Sequence, residues 1–489
     1  MMPLRHTINN ALIRLTGAAA RVSQQRVLMK YEDVATRHPE RQNPVIVIPG
    51  VLGSRLVHRR SRATLWGGSS KSEFADVSAP DELRGVCFPI EGGTPLDRVE
   101  TQAEPAGAVL ELQAKVLGLP LAVKAYGPIL DMFGITGFLQ ARSASDVDFN
   151  VPRERPGSPM SFEFDYDWRR SIPDNAARLG SFIELVRDIA KEVGHTGRDG
   201  SARVDIVAHS LGGLLLRYYL RYGRQLLSET QGPPDLTWAG AKDVDRVLLV
   251  GVPNGGAVEV VEKLIEGLSE SAASPAYSSA VLGTMPALYQ LMPRTRYGSI
   301  ERGDSDESTD LFDVETWERH RWGLLDERND DELKILLPSA ASRSDRERGA
   351  ADHLASCLAE AQLVHRALDR QVDPPPGLHK HLFVGDGVMT PERLRINDDR
   401  TTEVISRQDG DGTVLRSSAL LDERISGRNE SVLQSPIRWS GVTFIPADHM
   451  MLTSHPTFIN NALYQILEDP TPHRSPAMSV KDAASRESG

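Results

Sequence analysis

VDIVAHSLGGLLLRYYL (204–220) is the stretch whose reading decides the fold. VDIVA is a short apolar, β-branched run, the pattern of a strand buried on both faces. LLLRYYL carries on as a helix-like apolar stretch. Ala208-His209-Ser210-Leu211-Gly212 lies at the junction, with a small residue two positions to either side of the serine. The spacing predicts a sharp strand-to-helix turn, a nucleophile elbow. Bulky flanks would strike the neighbouring strand and helix, so the turn needs small ones. Such a turn holds a serine hydroxyl out at the C-terminal edge of a sheet. It also aims a helix N-terminus at any oxyanion formed there. Ala208 stands where glycine is usual, a tolerable departure. A serine capping an ordinary core helix is the plainer alternative.

Working outward, the same punctuation recurs. PVIVIPG (44–50), VDRVLLVGVPNGG (244–256), LHKHLFVGDG (378–387) and GVTFIPADH (441–449) are apolar runs closed by Gly or Pro. Amphipathic stretches such as NAARLGSFIELVRDIAKEV (175–193) lie between several of them. Buried strands alternating with helices predict the α/β class, a mostly parallel central sheet with helices on both faces. Residues 54–160 hold few clear strands and many Gly, Pro and charged residues, and read as a lid-like insertion. Residues 257–372 read as helices and loops around the polar run ERGDSDESTD (301–310), a helical cap insertion; ordinary decoration of a large fold is the alternative for both segments. The expected division is a leader or extension over 1–40 and a core over 41–256 and 373–470. The cap interrupts that core at 257–372, and a disordered tail rich in Pro, Ser and charge fills 471–489.

The 489 residues are 40% hydrophobic and 25% charged, an ordinary globular composition. A net charge of -11 leaves no basic field to neutralise phosphates, so nucleic acid is excluded as the main partner. Cys87 and Cys357 allow at most one bridge and fit no zinc spacing. No apolar run reaches the 18 or so residues of a membrane span. The N-terminus lacks the apolar core of a secretory signal. A cytoplasmic protein is therefore expected. Residues 1–31 carry Arg5, Arg14, Arg21 and Arg26 and no acid, a leader suited to peripheral membrane contact or targeting. A mobile, solvated extension is the alternative.

A serine hydroxyl needs a general base. In this architecture the base and its acid partner follow the serine in the order Ser, acid, His. DGDGTV (409–414) has the glycines for a tight loop that presents a carboxylate; Asp411 is the candidate acid and Asp409 the alternative. His449, just past the last apolar strand, is the candidate base, with His455 as competitor. His209 is expected to point away from Ser210 and to pack or hydrogen-bond. An oxyanion needs at least two N–H donors. The backbone amides of Leu211 and Val51 are the candidates, the latter because the glycines of PGVLGSRL (49–56) let the chain approach a substrate closely.

Together PVIVIPGVLGSRL (44–56), FDYDWR (164–169), DIVAHSLGG (205–213), LLVGVPNGG (248–256), YQLMP (289–293), DGDGTV and ADH (447–449) resemble the lecithin:cholesterol acyltransferase family. The resemblance implies an α/β-hydrolase core, a lid after the first oxyanion loop and a cap between the strands near 250 and 380. It implies an acyl-enzyme on Ser210, with Asp411 and His449 completing a triad and water or an acceptor alcohol taking the acyl group. A lipid or other acyl ester is the expected substrate, and no metal or organic cofactor is expected. Leu52 and Trp66 are candidate substrate contacts, Trp66 at the acyl entrance or else in the core. Asp167 and Arg169 are expected to form a structural ion pair near the site. Extracellular members tie the lid with a disulfide; here Cys87 alone lies in that region.

Overall fold

Val45, Ile46, Val47 and Ile48 are all buried, alternating between two apolar clusters. Ile46 joins Ile206, Leu249 and Leu382 on one face of a sheet. Val45 and Val47 join Val207, Leu248 and Phe383 on the other. With both faces covered, every position of the strand must be apolar, which is why these segments read as continuous runs rather than alternations.

This architecture comes from a computed structural model that describes residues 28–469 apart from 69–78, 110, 117–118, 125, 142–153, 156, 199, 230–231, 270–275, 304 and 425–431. The strands of the central sheet are β1 (Val45–Ile48), β2 (Leu139–Ala141), β3 (Met160–Glu163), β4 (Val204–His209), β5 (Val244–Val250), β6 (His379–Gly385) and β7 (Gly441–Ile445). All seven are parallel, in the order β7-β6-β5-β4-β1-β3-β2. The helices that matter for the site are α1 (Pro80–Val86), α2 (Ile172–Glu192), α3 (Leu211–Tyr222), α4 (Val258–Glu266), α5 (Arg343–Asp369) and α6 (Pro456–Leu463). The first face is covered by α2 and α3, with Ala176, Leu179, Ile183, Leu214 and Leu215 in its cluster. The other is covered by α6 and by the helix Gly127–Ile135, through Phe458, Ile459, Ile129 and Met132. The strand order advances toward one edge of the sheet from β1 and toward the other from β4, so the loops after these two strands flank a crevice at the C-terminal edge. Open α/β sheets bind ligands at such a point.

Several boundaries differ from the sequence reading. Of the expected leader, residues 1–27 lie outside the described residues. Residues 28–37 form a helix whose Leu28, Tyr31 and Ala35 are buried against the sheet, so this part is core rather than a solvated extension. The lid segment holds more strand than expected: Ser54–His58, Thr64–Trp66 and Ala103–Ala108 form an antiparallel sheet, and Glu111–Val116 pairs with Leu119–Lys124. Its last part, Gly127–Ile135 and β2, belongs to the core; a three-residue strand has no periodicity to read. The cap is mostly helical, but its strand Ile300–Arg302 pairs with Val388–Ile396, which lies beyond residue 372. The expected tail, 471–489, lies outside the described residues. Among the described residues, no helix is long and apolar enough to cross a membrane.

Candidate active site

Ser210 stands between β4 and α3 with φ 52° and ψ −126°, a strained conformation for a residue with a side chain. Its N–H donates to Val250 O at 2.9 Å, and Gly213 N–H donates to its carbonyl at 2.9 Å. The requirement for small neighbours is visible here. A Cβ on Gly212 would lie 2.4 Å from Pro49 O, and one on Gly50 would lie 2.7 Å from Ser210 Cβ. Leu211 opens α3, so its N–H is among those a helix leaves without an internal partner.

His449 follows β7 and Asp411 follows the strand Thr402–Gly410. His449 Nε2 lies 3.0 Å from Ser210 Oγ, and Nδ1 lies 2.8 Å from Asp411 Oδ2. The other carboxylate oxygen of Asp411 accepts the N–H groups of Thr413 at 3.0 Å and Val414 at 2.6 Å. His449 N–H donates to Asp411 O at 2.8 Å, so backbone and side chain are pinned to the same residue. Asp409 is exposed on its strand and His455 caps α6, accepting from Thr457 N–H at 3.2 Å; neither reaches Ser210. Burial works against a charged His449 imidazole, but the charge and hydrogen bond of Asp411 outweigh it, and Glu259 adds to them. The His449 pKa therefore lies above its ordinary 6.5. Asp411 is buried, yet the attraction and hydrogen bond of His449 hold its carboxyl below the ordinary value.

The loop after β1 is held from several sides. Gly53 N–H donates to Gly50 O at 3.1 Å, closing a turn in which Leu52 has φ 61°. In a trans peptide the C=O and N–H point opposite ways. The Gly50 carbonyl faces into the turn, so the Val51 N–H faces out of it. Trp66 Nε1 donates to Leu52 O at 2.6 Å, Tyr166 OH to Pro49 O at 2.9 Å, and Trp168 Nε1 to Ser54 O at 3.1 Å. The FDYDWR motif thus serves to brace this loop. Its Arg169 pairs with Asp167 through two hydrogen bonds of 2.8 Å and donates to the carbonyls of Gly85, Val86 and Cys87 at the end of α1. That ion pair ties the lid segment to the core.

Ser210, His449, Val51, Leu52 and Trp66 all line one cavity of about 360 Å³. Its wall is predominantly apolar, with Leu65, Tyr277, Leu282 and Leu288 among its residues. The charged side chains on the wall are Arg169, already paired, and Glu259 and Lys263, one turn apart on α4. Tyr126, also on the wall, was not singled out in the sequence. Its hydroxyl accepts from Gly50 N–H at 2.7 Å and meets His209 Nδ1 at 2.8 Å. Nothing marks it in a segment without periodicity, 83 residues from its partner. Cys87 and Cys357 are both buried and unbridged, and burial pushes the Cys87 thiol up to about 12. Among the described residues, no group of His, Cys, Asp and Glu is placed to hold a metal ion.

Residues 160–310 match the family model of lecithin:cholesterol acyltransferase. No curated protein matches the chain. Among solved structures, the crystal structure of the Tle4-Tli4 complex is similar, with a TM-score of 0.52 at 16% identity, covering 87% of this chain and 98% of that one. At that identity the likeness shows the fold, an α/β-hydrolase sheet with helices around it. The resemblance read from the sequence is thus matched over residues 160–310, which are similar to the lecithin:cholesterol acyltransferase family, and the fold is that of an α/β-hydrolase.

Proposed function

We propose that the chain is a serine-dependent acyl-ester enzyme that transfers a lipid acyl group through an ester on Ser210. The observation that carries the reading is the line Ser210–His449–Asp411, with contacts of 3.0 and 2.8 Å, opening into an apolar cavity. Ser210 Oγ attacks the ester carbonyl while His449 Nε2 takes its proton. Asp411 holds the Nδ1–H tautomer and stabilises the imidazolium. The Val51 and Leu211 N–H groups receive the oxyanion. His449 then protonates the leaving alcohol, and the cycle repeats with water or an acceptor alcohol. The apolar wall favours an acyl chain over a small acid, because burying each methylene is worth about 0.8 kcal/mol.

The test uses phospholipids and neutral esters carrying a labelled acyl chain, incubated with wild type and Ser210→Ala, with and without a long-chain alcohol. Label in a new ester, lost in Ser210→Ala, identifies an acyltransferase. Label as free fatty acid, lost in the same variant, identifies a lipase or phospholipase. Cleavage of short esters with no lipid turnover would replace the lipid reading with a small-ester esterase.

A further inference from the structure

Four groups join the two halves of the site through a chain of hydrogen bonds outside the triad. Gly50 N–H meets Tyr126 OH at 2.7 Å, the same hydroxyl meets His209 Nδ1 at 2.8 Å, and His209 Nε2 meets the His449 carbonyl at 3.2 Å. A carbonyl only accepts, so His209 carries its proton on Nε2. A neutral ring then has a lone pair on Nδ1, which accepts from the Tyr126 hydroxyl. Tyr126 in turn accepts from Gly50. Every donor has an acceptor and every direction is fixed.

We infer that Tyr126 and His209 are positioning residues that lock the loop 49–53 to the backbone of His449, so that the Val51 amide and the imidazole keep one geometry relative to Ser210. The inference rests on the proposed acyl-ester function of this site. Burial, with His449 nearby, holds the His209 pKa down at about 3, so the ring is neutral at pH 7 as the chain requires. The placement is tight. His209 and His449 rings lie 4.6 Å apart, and Tyr126 OH is 3.3 Å from where a Gly50 Cβ would be. Tyr126, His209 and Gly50 all line the cavity, so the lock acts at its catalytic end.

The test has two arms on the full chain. In the first, ¹⁵N-histidine NMR of wild type at pH 7 reads the His209 tautomer. A neutral ring protonated on Nε2, whose Nδ1 signal shifts in Tyr126→Phe, supports the chain. A charged ring, or a proton on Nδ1, overturns it whether or not the protein cleaves esters. In the second, Tyr126→Phe and His209→Gln are compared with wild type on a long-chain ester that wild type cleaves. The expected result is kcat lower by about 10²-fold, the scale of a small misplacement of catalytic groups. KM and the acid limb of the pH profile stay in place. Affinity for a long-chain boronic acid, which forms a tetrahedral adduct, falls in parallel, while affinity for the matching fatty acid is kept. Unchanged kcat, or an equal loss of boronate and fatty-acid affinity, would reduce both residues to cavity wall. If wild type cleaves no ester, the proposed function fails and the tautomer result alone decides the lock.

Discussion

Asp411 uses one oxygen on the amides of Thr413 and Val414 and the other on His449. This division separates it from Asp409, a choice the string DGDGTV leaves open. The turn bonds hold the carboxylate independently of its contact with His449, whereas Asp409 sits exposed on a strand. Asp411→Asn is expected to lower kcat by about 10⁴-fold through loss of the productive tautomer. Because Asp411 raises the His449 pKa, and the base works only when neutral, activity falls as pH drops through a midpoint above 6.5. The kcat/KM profile of wild type checks this, and in Asp411→Asn the midpoint moves to lower pH. A midpoint that ignores the substitution would separate the two residues. Gly50 makes the second prediction. Gly50→Ala puts a methyl 2.7 Å from Ser210 Cβ, and kcat should fall by about 10²-fold with the fold intact by circular dichroism. The strands that precede Ser210 and His449 were legible because each is an apolar run closed by a turn. Tyr126 was not, because its partners are distant in sequence and its own segment carries no pattern.

At the scale of elements, α5 shows how the segment 257–372 is fastened to the sheet's helices. Its N-terminus carries a capping box between Ser342 and Asp345. Its last carbonyls accept from Arg217 and Arg221 of α3, which place positive charge at the negative end of the helix. His353 and His365 of the same helix are buried, their Nε2 atoms 2.9 Å from Thr284 O and 2.8 Å from Gln290 O. Burial lowers their pKa values to about 4 and about 3. In the unfolded chain both histidines take a proton near 6.5, whereas the folded chain does not. Stability is therefore lost as pH falls from 6.5 toward 4, with a slope of about 1.4 kcal/mol per pH unit for each histidine. Denaturant unfolding of wild type and His353→Gln at pH 7 and pH 5 checks this, the variant losing less between the two. The amphipathic period of α2 was readable, with Leu179, Ile183 and Val186 buried as expected. The strands of the segment 54–160 were not, because they are short and lack long apolar runs.

The whole molecule follows from one sheet. Five apolar runs read in the sequence became β1, β4, β5, β6 and β7, and their parallel order brings the loops after β1, β4 and β7 to the same edge. The edge strand β2, its neighbour β3 and the helix at 28–37 escaped the reading, being short or preceded by a basic segment that looked like a leader. Arg169 couples lid and core at this scale. Arg169→Met leaves Asp167 buried beside Arg170, with side-chain exposures of 6% and 4%, and leaves the last carbonyls of α1 without their donor. A loss of about 3 kcal/mol is expected, read as a lower unfolding midpoint in denaturant. The central claim, an acyl group carried on Ser210, is tested most directly by trapping it. The protein is mixed with an activated long-chain ester, quenched in acid within the first turnover, and its peptides are weighed. One acyl mass on the peptide containing Ser210, absent in Ser210→Ala and slower to form in Asp411→Asn, is the predicted result. An acyl mass on another residue, or turnover of the ester with Ser210 replaced, would contradict it.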